Sequence, residues 1–503
     1  MIDATPWLIG YARQRMAALA RLDPVRAQAH ELAKLLAIAA GTRFGRTHRF
    51  AAIGSVADYQ SAVPLRRWDG FWTEWWEPSF PVLRDVTWPG RINYFAETSG
   101  TTTGVTKHIP VSHEMIRANR RAALEVLAFH AAVRPDTRVL GGKSFMLGGS
   151  TALRRLAPAV WSGDLSGIAA AKVPFWARAR VFPPREVALV ADWERKIALL
   201  AERVHGEDIR AISGTPSWLL LFFDRVAARW PAAARRLAAH FPRLELLVHG
   251  GVGFAPYADS VARWLDGGRA ETREVYPASE GFIAVADRGP GEGLRLMLDN
   301  GLFYEFVPVE QLDSAAPVRH WIANAELGRN YALVVTSNAG LWSYVLGDTV
   351  RLVSLDPPRL LVTGRTAQDL SAFGEHLSSG ELDAAIAGTG ARVVDYAAAA
   401  LPPGPDEPRG GHVFIVEFDP AVADVAAFAA ALDAALARGN ADYAVHRRGD
   451  FGMLPPRVVP MPRGGFARWM ASRGKLGGQH KVPRVVTDPT MLAELRRLAG
   501  DTA

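Results

Sequence analysis

The chain has 503 residues, 49% of them apolar, which is enough for about three domains with packed cores. No apolar run approaches the roughly 20 residues that a membrane span needs, and the acidic Asp3 stands where a signal peptide is basic. We therefore expect a cytoplasmic protein with no membrane segment. The absence of cysteine excludes disulfides, thiolate nucleophiles and cysteine-based metal sites.

The formal net charge of +7 and the isoelectric point near 9.7 raise the question of nucleic-acid binding. The basic residues are 51 arginines and only seven lysines, and they are spread along the chain without a basic tail or block. This distribution is typical of a solvated surface. We therefore expect no nucleic-acid partner. Because lysine is rare in this chain, a lysine beside a motif is a stronger candidate for a functional residue.

Hydrophobic periodicity predicts both helices and strands in the first two thirds of the chain. Residues 28–40 and 113–131 have helical spacing, whereas 243–249, 331–337 and 359–363 are typical of buried strands. Alternation of strands and helices favours an α/β fold with mainly parallel sheets. In such folds the ligands bind at the loops that leave the strands.

The pattern changes beyond about residue 365. Strands are predicted at 391–398 and 412–418, and a helix follows, with Asp419 as its cap and Gly439 at its end. This indicates a small α+β unit. We predict a large N-terminal domain at 1–364 and a small C-terminal domain at 365–503.

The stretch "TSGTTTGVTK", from Thr98 to Lys107, combines small hydroxyl residues and glycines with a lysine. Such a loop lets backbone N–H groups approach a phosphate closely, and the lysine adds a positive charge. It lacks the Gly-Lys-Ser/Thr ending of a Walker loop. Taken alone, it is equally compatible with a flexible polar turn between strands.

Two later stretches extend the pattern. "YPASE" sets Tyr276 four residues before Glu280, and "YVLGD" places Asp348 after a glycine turn. A tyrosine can lie against a purine, a glutamate can ligate Mg²⁺, and an aspartate can accept hydrogen bonds from ribose hydroxyls. Each residue also has an ordinary structural alternative: Tyr276 as a core aromatic, Glu280 as a surface acid and Asp348 as a turn former.

In this order and spacing the three motifs resemble those of the Gretchen Hagen 3 family of acyl acid amido synthetases, within the adenylate-forming ligases. The first loop has one more residue before its second glycine than the corresponding loop of acyl-CoA synthetases, which is the family's form. The resemblance continues through 363–386, 440–452 and 473–484. We take the chain as a bacterial member of the family.

The resemblance implies a two-step reaction that uses ATP and Mg²⁺. A carboxylic acid and ATP give an acyl-adenylate and pyrophosphate, and the amine of an amino acid then displaces AMP. The catalytic residues implied are Lys481, Glu280 and Lys107, with Glu280 as the metal ligand. The ATP-binding residues implied are Ser99, Gly100, Thr101, Thr102 and Gly104 at the phosphates, Gly250, Gly251 and Tyr276 beside adenine, Ser279 at the α-phosphate, and Asp348 and Arg365 at the ribose.

In such ligases the last domain rotates between the two half-reactions and carries a lysine into the site for adenylation. Lys481, in "GGQHKVPR", matches that lysine, and residues 368–371 are the hinge candidates. Val345 replaces an arginine that the family has in its tyrosine motif.

Residues around "SGTPSWLLLFF" are expected to line the acid pocket, with Trp218, Leu219 and Phe222 as walls. Core packing is the more frequent role for such side chains. The sequence does not identify the acid or the amine. Two alternatives stay open: an acyl-CoA or carrier-protein ligase with the same adenylation step, and a non-catalytic or nucleic-acid-binding protein that keeps the scaffold. We expect a monomer.

Overall fold

A computed structural model gives the architecture of the chain, which forms two compact units. The first unit comprises Met1–Val252, Ser260–Leu346 and Val350–Leu361, and the second comprises Gly253–Asp259, Gly347–Thr349 and Val362–Ala503. The structure describes residues 2–99, 106–148, 152–190, 193–231, 235–251, 254, 257–366, 370, 377–401, 410–440, 443–444, 447, 453–473 and 481–501.

The α-helices and strands are numbered separately in chain order. The helices are α1 (Thr5–Leu19), α2 (Pro24–Ala39), α3 (Arg43–Thr47), α4 (Val56–Ala62), α5 (Trp68–Phe71), α6 (His113–Val133), α7 (Leu165–Ala171), α8 (Arg185–Ala188), α9 (Trp193–Arg203), α10 (Pro216–Arg229), α11 (Leu237–His240), α12 (Ala258–Leu265), α13 (Ser379–Gly388), α14 (Val425–Gly439), α15 (Gly465–Ser472) and α16 (Pro489–Leu498). The strands are β1 (Tyr94–Ser99), β2 (Thr106–Val111), β3 (Lys143–Leu147), β4 (Arg154–Ala157), β5 (Val160–Gly163), β6 (Val181–Phe182), β7 (Ile209–Gly214), β8 (Leu246–Gly250), β9 (Glu271–Ala278), β10 (Gly281–Val285), β11 (Leu294–Leu296), β12 (Leu302–Pro308), β13 (His320–Trp321), β14 (Asn330–Ser337), β15 (Tyr344–Leu355), β16 (Pro358–Arg365), β17 (Val393–Leu401), β18 (Gly411–Phe418) and β19 (Arg457–Met461).

A 12-stranded mixed sheet dominates the fold, in the order β13-β12-β14-β15-β16-β11-β10-β9-β8-β7-β3-β6. One part of the sheet is parallel and consists of β6, β3, β7, β8 and β9. From β9 onward each strand is antiparallel to its neighbour, through β10 and β11 to β16. The carboxyl ends of the parallel strands therefore meet at one edge, where α/β folds bind their ligands.

The two helices that hydrophobic spacing predicted are present, and local capping explains their starts. Asp23 accepts a hydrogen bond from the Arg26 backbone N–H at the start of α2, and Ser112 accepts one from Met115 at the start of α6. One face of α6 packs with α1 against the parallel strands, in a core cluster that includes Leu8.

A separate four-stranded sheet, in the order β2-β1-β5-β4, carries the first motif. Strands β1 and β2 form an antiparallel hairpin from the pair Tyr94–Val111 to the pair Ser99–Thr106. Strand β1 also pairs in parallel with β5. The motif residues Thr98 and Ser99 therefore lie on β1, and Thr106 and Lys107 lie on β2.

The second unit is a three-stranded sheet, β17-β18-β19, with helices on both faces. Alternate residues of β18 point to opposite layers: Phe414 packs with the core beneath α13 and α14, and Ile415 packs with the core beneath α15 and α16. Because both faces are covered, the strand is buried along its whole length.

The predicted cap of α14 was wrong by five residues. Asp424, not Asp419, accepts the hydrogen bond from the Ala427 backbone N–H, and the helix begins at Val425. Asp419 instead pairs with Arg463 at 3.4 Å. Both aspartates have the side chain of a cap, and the tertiary path of the chain after β18 decided between them.

The predicted fold class, α/β with a large first part and a smaller second part, is confirmed. The placement of a domain boundary between residues 364 and 365 stays a prediction. Within the described residues, no helix combines the length and apolar character that crossing a bilayer requires.

Candidate active site

The hairpin of β1 and β2 carries the first motif, and Ser99 ends β1. The predicted phosphate contacts Gly100, Thr101, Thr102 and Gly104 lie outside the described residues. Lys107 lies on β2, half-buried, with its ammonium nitrogen 5.9 Å from the ring centroid of Trp68. The backbone of the hairpin thus holds Lys107 opposite Thr98.

Glu97, which pairs with His108 in this hairpin, ties β1 to neighbouring strands, a role that the sequence did not reveal. Its carboxylate accepts hydrogen bonds from Ser162 at 2.6 Å and Arg154 at 3.0 Å, and His108 Nε2 lies 3.7 Å away. Burial opposes ionisation, but the hydrogen bonds from Ser162 and Arg154 outweigh it and lower the pKa of Glu97. Its position directly before the motif stretch was the only available signal.

The carboxyl edge of the parallel strands brings the glycine turn and the second motif together. Gly250 ends β8 opposite Val275 on β9, and a Cβ atom at position 250 would lie 2.2 Å from the Val275 carbonyl oxygen. Only glycine allows this approach. Strand β9 continues three residues further and turns back into β10 through Ser279 and Glu280, since Ala278 pairs with Gly281.

Ser279 and Glu280 are polar but buried, with exposed fractions of 6% and 9%. Two polar side chains at the tip of a tight hairpin on the ligand-binding edge suit contacts with a charged substrate. Tyr276, expected beside adenine, is also buried and belongs to the main hydrophobic core. Gly251 follows Gly250 and is exposed.

The predicted acid-pocket residues lie on α10. Leu219 and Phe222 are fully buried, and Trp218 is half-buried. The Phe222 ring meets Phe145 of β3 edge to face, with the centroids 4.9 Å apart. Leu219 and Phe222 therefore pack in the core, and Trp218 is the more accessible of the three.

Asp348 and Arg365 meet in the second unit. Arg365 Nε lies 3.2 Å from Asp348 Oδ1, and the two side chains are 44% and 18% exposed. The predicted glycine turn before Asp348 was wrong: Gly347, with φ of +92°, lies within the 12-residue strand β15, and Thr366 donates a hydrogen bond to its carbonyl at 2.9 Å.

Lys481 is electrostatically coupled to the same pair. Burial among neighbouring atoms and the charges of Arg365 and Arg484 lower the pKa of Lys481, whereas Asp348 raises it, and the net result is a pKa of about 8. The residue keeps exposed surface, so water screens part of this effect. Lys481, Arg365 and Asp348 thus form one charged group.

The hinge candidates 368, 369 and 371 lie outside the described residues, whereas Leu370 pairs with Leu377.

The donor set is compatible with a magnesium nucleotide. Among the described residues, no group of three or more His, Asp or Glu side chains could hold a metal by itself. A site with one protein carboxylate is what Mg²⁺ adopts when phosphates and water supply its other ligands. Glu280, buried at the hairpin tip, fits that part.

Three family models match the chain. They describe the GH3 family N-terminal domain at residues 15–151, its central domain at 295–365 and its C-terminal domain at 380–490, and together they cover more than half of the chain. The chain belongs to the GH3 family. The predicted resemblance to Gretchen Hagen 3 proteins is therefore confirmed, and the bacterial origin stays a prediction.

Plant proteins are among the relatives of this GH3 chain. It is 26% identical to the probable indole-3-acetic acid-amido synthetase GH3.1 of Oryza sativa subsp. japonica over 286 residues, which is 52% of this chain and 45% of the relative. It is 27% identical to the indole-3-acetic acid-amido synthetase GH3.8 of Oryza sativa subsp. indica, over 52% of this chain and 46% of the relative. The chain thus spans less than half the length of these relatives.

Solved structures establish the fold of this GH3 chain. The AtGH3.15 acyl acid amido synthetase in complex with 2,4-DB matches with a TM-score of 0.79 at 17% identity, covering 97% of this chain and 96% of the other. The 2-hydroxyisobutyryl-CoA ligase in its postadenylation state matches with a TM-score of 0.63 at 15% identity, covering 94% and 91%.

Proposed function

We propose that this GH3 protein is an ATP-dependent acyl acid amido synthetase, which joins a carboxylic acid to the amine of an amino acid or related amine. The charged group of Lys481, Arg365 and Asp348 carries the proposal. Two cations suit the phosphates of a nucleotide, and the carboxylate paired with Arg365 suits the ribose hydroxyls. Family membership and the buried hairpin with Glu280 support the same assignment.

The first half-reaction joins the acid to AMP. A carboxylate oxygen attacks the α-phosphorus of ATP, a phosphorus–oxygen bond forms, and the bond to pyrophosphate breaks. Lys107 and Lys481 would offset the charge that develops on the phosphates. Mg²⁺ held by Glu280 would neutralise further phosphate charge when bound. In the second half-reaction, the amine attacks the acyl carbonyl, AMP leaves, and the nitrogen loses a proton.

The acid is proposed here only as a class. The matched family ranges leave out residues 152–294, which contain α10, the glycine turn and the hairpin with Glu280. Specificity depends on a few side chains in that region, so the hormone acids named for the plant relatives are not carried over. The monomeric state, the cytoplasmic location and the absence of a nucleic-acid partner stay predictions from the sequence.

The test is acid-dependent exchange of labelled pyrophosphate into ATP, run over aromatic, indolic and aliphatic acids. We expect exchange with at least one acid, and a new amide in the mass spectrum when mixed amino acids are added. No exchange with any acid across the panel would overturn the proposal.

A second candidate is an acyl-CoA ligase, because the fold is shared with 2-hydroxyisobutyryl-CoA ligase. The two functions share the adenylation step and differ in the acceptor. Parallel reactions with coenzyme A and with amino acids therefore decide between them. A thioester without an amide would replace the leading proposal by this one.

A further inference from the structure

The segment 481–486, which carries Lys481, joins β17 through one parallel bridge between Val485 and Ala398. The Ala398 backbone N–H donates to the Arg484 carbonyl at 2.8 Å, and the Val486 N–H donates to the Ala398 carbonyl at 2.8 Å. Val485 is buried in the core on one side of the sheet, and Val486 is buried in the core on the other. The segment is thus held by both helical layers.

The Arg484 guanidinium fastens this segment to two further elements. Its Nε lies 3.1 Å from Asp383 of α13, and its Nη1 contacts Asp395 of β17 and donates to the Tyr396 carbonyl at 3.1 Å. The guanidinium carbon lies 4.4 Å from the ring centroid of Tyr396. Tyr396 donates to Asp383 at 2.7 Å, so the cluster is closed on itself.

Tyr257 adds a contact from a different part of the chain. Arg484 Nη2 donates to the Tyr257 hydroxyl oxygen at 3.3 Å, and Tyr257 is 4% exposed. Tyr257 belongs to the segment Gly253–Asp259, which follows the glycine turn after β8 and packs in the second unit. The segment with Lys481 is therefore tied to the one that leaves the predicted adenine turn.

We infer that Arg484 is a positioning residue for adenylation: it clamps the segment 481–486 to α13, β17 and Tyr257 and thereby sets the place of Lys481. The inference rests on the proposed function. Lys481 is three residues from the clamp, which is about 10 Å of extended chain. Because a displacement of about 1 Å can cost 100-fold in rate, loosening the clamp affects the step that needs Lys481.

The kinetic test uses Arg484→Lys, which keeps the charge opposite the buried carboxylates and removes the fork geometry. We expect acid-dependent pyrophosphate exchange to fall about ten-fold or more, as expected for a misplaced group. Aminolysis of a supplied acyl-adenylate should change less than two-fold. Tyr257→Phe should also reduce pyrophosphate exchange, but by less than Arg484→Lys, because it removes only one contact of the clamp.

A double variant separates positioning from general destabilisation. In a Lys481→Ala background, Arg484→Lys should cause no further loss of exchange. Arg447→Lys is the matched control, since Arg447 pairs with Asp433 at 2.7 Å in the same unit and donates to the Met453 carbonyl. An equal loss from Arg484→Lys with and without Lys481, or from the control, would overturn the inference.

A second readout does not need the reaction. Acetic anhydride labels neutral lysine amines, and mass spectrometry follows Lys481 as a function of pH. The charges that act on Lys481 are those of Arg365, Arg484 and Asp348, and Asp383 and Asp395 pair with Arg484. Arg484→Lys should move the labelling midpoint of Lys481 upward, and an unchanged midpoint would count against the clamp. If the wild type lacks exchange, the proposed function fails, while labelling still decides the role of Arg484.

Discussion

Asp348 and Arg365 are separated by 16 residues in the sequence, yet their side chains form an ion pair with 3.2 Å between Oδ1 and Nε. The neighbouring strands β15 and β16 bring them together. A third charge, on Lys481, is coupled to both although it lies more than a hundred residues further along the chain. This pairing places a carboxylate beside a guanidinium, and the charges of both act on Lys481.

Asp348→Asn should weaken ATP binding. Loss of a charged acceptor costs about 1.5–3 kcal/mol, so the KM for ATP in pyrophosphate exchange should rise about ten-fold or more. Stability should change little, because the ion pair is partly exposed. Asp419→Asn, which removes the 3.4 Å pair with Arg463, is the control and should leave KM unchanged. An unaltered KM in Asp348→Asn would remove this residue from the nucleotide site.

Glu280→Gln keeps the shape of the side chain and removes its charge. We expect exchange to fall at least about 100-fold and the half-saturating magnesium concentration to rise, because the developing phosphate charge loses its partner. The measurement is exchange at a series of magnesium concentrations. Glu310→Gln, on a partly exposed pair with Arg329 at 2.6 Å, should behave as wild type. A normal magnesium response in Glu280→Gln would assign the metal elsewhere.

Adenylation should depend on the charge of Lys481. With the pKa of Lys481 lowered to about 8, the ammonium is present below pH 8 and is lost as the pH rises through that value. Exchange should therefore decline above pH 8, whereas aminolysis of a supplied acyl-adenylate should not follow the same curve. Lys481→Ala should remove the decline and slow exchange far more than aminolysis. Equal losses in both halves would contradict the assignment.

His249, buried beside Gly250, should make stability fall in acid. Burial lowers the pKa of His249 from 6.5 to about 4, so between these values the unfolded chain binds a proton that the folded chain does not. The free energy of unfolding should decrease as the pH drops from 6.5 to 4, by roughly 3 kcal/mol from this residue. Urea titrations at several pH values give the free energy of unfolding as a function of pH. That free energy should fall less steeply with decreasing pH in His249→Gln than in the wild type. The exposed His30→Gln is the control, and its slope should match the wild type.

Gly380 should not tolerate a side chain. A Cβ atom there would lie 1.8 Å from the Thr363 carbonyl oxygen, because α13 begins directly against β16. Gly380→Ala should cost about 2 kcal/mol or more by overpacking, seen as a lower midpoint in thermal unfolding. In the same helix, Gly388→Ala would place its Cβ 3.5 Å from Ala435, an ordinary contact, and should be tolerated. Equal stability of both variants would mean that β16 and α13 can separate without cost.

Much of the local structure was predictable from side-chain patterns. Helical spacing located α2 and α6, the apolar runs located β8, β14 and β16, and the three motifs led to the family, since each depends on residues close together in the sequence. Side-chain chemistry alone did not identify the helix cap where two nearby residues had suitable side chains. Asp419 and Asp424 were equally good caps, and the tertiary path of the chain selected Asp424.

The sequence by itself determined the fold class, the family and the residue types that suit a nucleotide, because these follow from periodicity and from motifs of a few consecutive residues. Only the tertiary structure decided which distant side chains act together. The pairing of Asp348 with Arg365, the bracing of Glu97 by Ser162, and the clamp of Arg484 on Asp383 all join different elements. Such contacts depend on strand order and burial, which no short stretch of sequence encodes.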